Sequence, residues 1–520
     1  MQSRFTISHS MTSAAASQSA GSQPVQLTPP GSQGSGSIRQ IAGATLAPLV
    51  FVGVLMGSFE TLSPEAHRLA AIMAAVVVLW VTEAIPLTVT ALLGAAMAVV
   101  LRVAPAREVF APFADPLMFL FIGAFILARA IFVHRLDRRV AYAVLSLPWV
   151  GARPSRVLFA FGLTTAGLSA WMSNTATTAM MFGIGLSILH VMLGNDGENG
   201  ARTGVDPRYA TGLMLMTAFA ASIGGLATPV GTPPNVIGLG FIRELTGVEF
   251  SFFRWMMLAV PIVVVMFIGL FTYLNALSPA GVKELPGGAA MLRNERSKLG
   301  KWTQGQRSTT IAFGVTIALW VIPGIIALVV GERSELYLTI NRSVPESVAA
   351  LVGAVLLFIL PGDEGERAIT WNDAVKIDWG VVLLYGGGFA LGVLSFQTGL
   401  AESLGRAMAA WLPLSGEFGL LVAAVIIAVL LSETTSNTAS ANMIVPVVIS
   451  IATASGMDPV QPALGATIAA SLGFMLPVST PCNAIVYGSG LVPLSKMIKY
   501  GALLDIIGIV VVITAVWILA

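Results

Sequence analysis

The sequence predicts an all-α polytopic membrane protein built on an internal repeat. Three observations carry this. Of its 520 residues 56% are hydrophobic and 10% charged. About eleven mostly apolar stretches, each near the roughly 20 residues that cross a bilayer core, recur from Ile41 to the C-terminus. A polar tripeptide, Ser-Asn-Thr, appears twice inside apolar surroundings that match. A water-soluble chain has too little interior to hide so much apolar side chain, so the lipid bilayer serves as solvent.

In chain order, residues 1–38 are rich in Ser, Gln, Gly and Ala and are expected to form a disordered cytoplasmic tail. A first repeat, 39–280, holds spans near 41–59, 67–83, 86–103, 115–133, 209–229 and 253–277. A cytoplasmic linker follows at 281–307. A second repeat, 308–520, holds spans near 308–331, 345–361, 379–399, 461–478 and 500–520. Two further apolar regions are split by the tripeptides: 157–193 around Ser173, Asn174 and Thr175, and 402–455 around Ser436, Asn437 and Thr438. Both read as re-entrant helical hairpins, at 157–193 and 402–435. Backbone that leaves the helix at such depth persists only where protein or a water-filled cavity satisfies its polar groups.

Orientation follows from Lys and Arg in short loops. Arg135, Arg138, Arg139, Arg153 and Arg156 mark one cytoplasmic segment, and Lys283, Arg293, Arg296, Lys298, Lys301 and Arg307 mark the other. The N-terminus is therefore expected in the cytoplasm, and Lys496 and Lys499 before the last span put the C-terminus outside. The net charge of +2 is spread thinly and no nucleic-acid motif accompanies it, which argues against nucleic acid as a partner. The single cysteine, Cys482, rules out an intramolecular disulfide and a thiolate metal cluster. His67, His134 and His190 are scattered and form no ligand pair. No nucleophile, base and orienting group assemble, so an enzyme is disfavoured. A ring of basic or small pore-lining residues, as a passive anion channel needs, is not visible either.

The repeat is most explicit in two pairs of segments. SAWMSNTATTAM (Ser169–Met180) parallels SETTSNTASANM (Ser432–Met443), and ATPVGTPPNVIGLG (Ala227–Gly240) parallels LPVSTPCNAIVYG (Leu476–Gly488). The first half carries a polar insertion, Leu193–Tyr209, that lengthens its spacing. An odd number of intervening spans would make the repeats inverted, an arrangement that builds transporter sites at the membrane midplane. After Thr232, Pro233 and Pro234 remove amide donors and break a helix, while Gly231 permits a tight turn. The freed carbonyls, serine hydroxyls and Asn amide oxygens are hard neutral ligands for an alkali cation. Amide N–H groups and helix N-termini at the tips suit a carboxylate.

These residues resemble the divalent anion:sodium symporter (DASS) family, which includes sodium/dicarboxylate and sodium/sulfate symporters and is marked by paired Ser-Asn-Thr motifs. ASLGFMLPVSTPCNAIV (Ala470–Val486) is similar to that family's signature, with Ser471, Phe474, Pro477, Asn483 and Val486 in register. The likeness runs from about residue 41 to the end. It implies an inner-membrane homodimer that moves a transport domain by an elevator-like displacement. It implies sodium-coupled import of C4-dicarboxylates such as succinate, malate and fumarate, with citrate or sulfate, or sodium-independent exchange, as the alternatives. Carried over by position, the first sodium site would use Ser169, Ser173, Asn174 and Gly231. The second would use Ser432, Thr435, Asn437, Ser479 and Pro481. Substrate would meet Asn174, Thr175, Asn437 and Thr438, with Ser173, Ser436, Thr232 and Thr480 beside them. Two departures stand out: Cys482 where the first half has Pro234, and Thr435, where a small alanine is common and a main-chain carbonyl is the expected ligand.

Other residues carry plainer expectations. Glu433, whose first-half counterpart is Ala170, is expected to hydrogen-bond structurally rather than couple protons. Glu83 should end or brace a helix. Gly386, Gly387 and Gly388 lack the preceding strand and following Lys of a phosphate loop and should serve close helix packing.

Overall fold

The computed structural model describes residues 38–59, 61–193, 205–285, 287–331, 333–411 and 416–520. Apart from Ile38, the tail expected at 1–38 lies outside the described residues, as do residues 194–204 of the polar insertion. Among the described residues the protein is helical throughout, with one isolated bridge between Pro361 and Arg367 and no strand.

Nine described helices are long and apolar enough to cross a membrane. They are Ile38–Met56, Pro64–Thr82, the stretch Ala106–Val133, Phe252–Leu277, Gln304–Val330, Trp379–Gln397, Gly416–Thr434, Asn437–Ala454 and Leu494–Leu519. A tenth is the pair Glu335–Ser343 and Glu346–Ile359 if its 51° bend is counted within one span. Leu87–Val100 is apolar but shorter. Helix starts are set locally. Asp115 accepts from the Leu117 amide with Pro116 following, Ser251 accepts from Arg254, and Thr303 with Gln306 forms a reciprocal capping box. Glu83 ends Pro64–Thr82 in the left-handed region at φ 50.

Two regions expected as single spans are broken helices. In place of 209–229 the chain forms Pro207–Gly224, leaves the helix, and resumes as Pro233–Thr246. In place of 461–478 it forms Val460–Ala469, runs non-helical to Thr480, and resumes as Pro481–Tyr487. Proline causes the restart in both: Pro233 and Pro481 stand in the first turn, where a missing amide costs nothing. The first hairpin is Pro154–Ser169 and Asn174–Leu193. The second is Gly416–Thr434 and Asn437–Ala454, so it begins at 416 and not at 402. Leu400–Trp411 is a separate helix that packs on Asn437–Ala454. Gly399 and Gly416, both at positive φ, bracket that change of direction.

Packing repeats in the two halves. Pro154–Ser169 lies on Pro207–Gly224, and Gly416–Thr434 lies on Val460–Ala469. Gly224 permits the first contact, because a Cβ there would sit 2.5 Å from the Cα of Ala166. The halves then cross. Pro233–Thr246 packs on the second hairpin's Asn437–Ala454, and Pro481–Tyr487 packs on the first hairpin's Asn174–Leu193. Phe219 and Phe474 meet edge to face at 5.3 Å where the two halves join.

The triple glycine lies in Trp379–Gln397, which packs on Leu87–Val100. A Cβ on Gly387 would fall 2.7 Å from the Cβ of Ala91 and 2.9 Å from its backbone. Gly387→Val is therefore expected to overpack this contact and lower stability by about 1–3 kcal/mol. The check is a depressed midpoint in thermal melts of the detergent-purified protein.

Candidate functional site

At the first hairpin tip, Ser169 closes one helix and Asn174 opens the next. The Ser169 hydroxyl donates to Asn174 Oδ1 at 2.7 Å, spanning the non-helical tip. The turn of the broken helix is drawn onto it by Thr228, whose hydroxyl donates to the Ala170 carbonyl at 2.5 Å. Asn235 holds that turn together, its Nδ2 donating to the carbonyls of Gly225 at 3.0 Å and Thr228 at 2.9 Å. Gly231 is buried where a Cβ would lie 2.5 Å from the Gly225 oxygen and 3.0 Å from that of Ala170. Any other residue would push these carbonyls apart.

The second tip repeats the construction. Ser432 Oγ is 2.8 Å from both Asn437 Oδ1 and the Ala470 carbonyl. Asn483 Nδ2 donates to the carbonyls of Gly473 at 3.1 Å and Leu476 at 3.0 Å. The acceptors lie ten and seven residues before each asparagine, as in the first half. Ser479, the counterpart of Gly231, is buried and places its hydroxyl 3.0 Å from the Glu433 carbonyl and 2.7 Å from Glu433 Oε2. Each tip thus gathers hydroxyl, amide and main-chain oxygens. Such uncharged hard oxygens fit an alkali cation; no Cys or His stands among them to favour a transition metal.

The remaining candidates divide by placement. Ser436 caps the second exit helix through Ala439, and Thr480 caps Pro481–Tyr487 through Asn483. Thr232 is the buried N-cap of Pro233–Thr246 and makes no side-chain capping bond. Pro481 opens its helix and is exposed. Ser173 and Thr175 are exposed, while Asn174, Asn437 and Thr438 are half-buried. The Thr435 hydroxyl turns to the Leu431 carbonyl and Ser440, both within 2.9 Å. Cys482 bridges the halves: its sulfur lies against Thr178, Ser222 and Thr175, the last belonging to the first tripeptide.

Three contributions were not foreseen. Asn235 and Asn483 act as staples, and their signal was a fixed offset after Thr-Pro in both repeats. Arg39 donates to the Thr434 carbonyl at 3.0 Å and to that of Val81, so a guanidinium reaches the back of the second tip although the sequence suggested none there. Asp505 lies beside Glu433; a lone acid in the last apolar helix was its only trace. Glu433 itself accepts from the Met475 amide at 2.7 Å, the Leu476 amide at 3.2 Å and Ser479, which is the bracing role expected of it.

The family model described as the sodium:sulfate symporter transmembrane region matches residues 41–519. The chain belongs to this family. As a member of the sodium:sulfate symporter family it is a multi-pass membrane transporter. It is 33% identical over 491 residues to a protein of Staphylococcus saprophyticus called sodium-dependent dicarboxylate transporter SdcS, covering 93% of this chain and 92% of that one. A Staphylococcus aureus protein of the same description is 32% identical over 488 residues, covering 92% and 91%. Among solved structures, the Neisseria gonorrhoeae MtrF structure aligns at a TM-score of 0.54 with 15% identity, covering 93% of this chain and 96% of that one. The Alcanivorax borkumensis YdaH transporter aligns at 0.51 with 12% identity, covering 92% and 96%. These two share the fold.

The asparagine staples generate a stability prediction. Asn235→Ala or Asn483→Ala leaves two inward-facing carbonyls without a donor, at a cost of about 1–3 kcal/mol for each unsatisfied group. Both variants should melt earlier than wild type in detergent, whereas Thr232→Val, which removes no capping bond, should melt within a few degrees of it.

Proposed function

We propose that the protein is a sodium-coupled symporter of C4-dicarboxylates such as succinate, malate and fumarate. The observation that carries this is the duplicated oxygen cage, Ser169 with Asn174 and Ser432 with Asn437, each backed by main-chain carbonyls of a broken helix. The names of the Staphylococcus relatives support both the cation and the substrate class. The cage ligands carry no formal charge, so a dianion seated among them must bring cations as counter-charge. That electrostatic need is the physical reason for coupling.

In this reading Ser169, Ser173, Asn174 and Gly231 hold one sodium, and Ser432, Asn437, Ser479, Pro481 and the carbonyl of Thr435 hold another. Asn174, Thr175, Asn437 and Thr438 meet the two substrate carboxylates, flanked by Ser173, Ser436, Thr232 and Thr480. The exposed and half-buried placement of both tripeptides supports this, as does the contact of Cys482 with Thr175, which ties the second broken helix to the first tip. The repeats are inverted, the N-terminus is cytoplasmic, and a homodimer in the inner membrane carries the hairpins and broken helices across by an elevator displacement.

Proteoliposomes decide the matter. An inward sodium gradient should accelerate succinate uptake about tenfold over choline, equivalent to about 1.4 kcal/mol off the transport barrier. Uptake that ignores sodium but responds to internal succinate would replace symport with exchange. Asn174→Ala and Asn437→Ala should each reduce uptake to background while eluting as folded protein; wild-type transport by both would remove the proposed site.

A further inference from the structure

Behind the second tip two carboxyl groups lie side by side inside the protein. Asp505, in Leu494–Leu519, is 4% exposed and stands next to Glu433, which is 3% exposed. Their approach is built in. Gly501, one turn before Asp505, rests on the backbone of Phe474 and Met475, where a Cβ would come within 2.6 Å of the Met475 Cα. The two acids are served unequally. Glu433 accepts from two amides and the Ser479 hydroxyl, whereas Asp505 has only the Glu433 carboxyl and the Phe474 amide near it, and neither of its oxygens meets a donor in good hydrogen-bond geometry. Among the described residues no Lys, Arg or His pairs with either.

Two adjacent buried carboxyls with no cation between them are costly, since each was stripped of water and they repel. A proton on Asp505 would join one of its oxygens to Glu433 and leave the other with the Phe474 amide as its nearest donor. A metal cation against Asp505 serves both oxygens at once and neutralises one charge. Anionic hard oxygens suit an alkali or alkaline-earth ion, and in the proposed sodium symporter the ion at hand is sodium. We propose that Asp505 and Glu433 form a third cation site, taking sodium, set behind the second cage and linked to it through Ser479. The assignment rests on the sodium-symport reading and deepens it. An ion held here fixes the Glu433 carboxylate and, through it, the Ser479 hydroxyl bonded to that carboxylate, which couples the two sites.

The test compares wild type with Asp505→Asn, which keeps shape and removes charge, in the full-length protein. Radioactive sodium binding to the purified protein without succinate should show one ion fewer per protomer in the variant. In proteoliposomes the sodium-to-succinate flux ratio should drop by one ion, and the Hill coefficient for sodium should decrease. Unchanged binding and flux ratio would overturn the site, and so would an unchanged sodium ratio accompanied by a new pH dependence, which would make the occupant a proton. Should the variant fail to fold, Asp505→Ser and the count of sodium ions on wild type keep the question open to refutation: no more ions than the two cages hold would also overturn it. Absence of any sodium-driven uptake in wild type would instead sink the symport reading.

Discussion

A helix broken inside a membrane must find partners for every carbonyl and amide it frees, because lipid offers none. In both halves of this protein an asparagine in the resuming helix does this, reaching back ten and seven residues to the carbonyls of Gly225 and Thr228 or of Gly473 and Leu476. Without those bonds the non-helical turns would collapse into helix or open to water, and neither would present oxygens toward a hairpin tip. The tips depend on them in turn. Thr228 fastens the first turn to Ala170, and Ser479 fastens the second to Glu433. What looks like a binding motif in three residues is therefore the visible end of a bracing system that reaches deep into the adjacent helices.

The crossed packing extends that dependence from one half to the other. The resuming helix of each half lies on the hairpin of its counterpart, so displacing one tip disturbs the turn that supports the other. Small residues make this possible. Gly238 lies so close to Thr467 that any Cβ would collide with its side chain, and Cys482, where the first half has proline, nests its sulfur among three hydroxyl-bearing residues. The two tips are thus braced on each other through packing between the halves.

The sequence exposed this design unevenly. Hairpin tips were readable because polar tripeptides interrupt apolar runs twice in the same context. The first break was readable through Thr232, Pro233 and Pro234. The second was not: Ala470–Leu476 is as apolar as any span, and hydropathy registers composition while the break is decided by hydrogen bonds. Sequence alone starts the second hairpin at 402 because Leu400–Trp411 is itself rich in apolar residues. The Asp505–Glu433 contact joins residues far apart along the chain, and no local pattern encodes such a meeting. Arg39 was hidden for the same reason, being the second residue of the first helix yet touching Thr434.

The departures from symmetry matter as much as the symmetry. Where the first half has Ala170 and Gly231, the second has Glu433 and Ser479. The first cage closes on bare backbone and carries no fixed charge. The second has a carboxylate behind it, held by two amides and a hydroxyl, with another carboxyl beyond. The two tips thus match in geometry and differ in what stands behind them, bare backbone in the first and two carboxyl groups in the second. A repeat duplicates a shape, and single substitutions within it then grade the charges that the shape encloses.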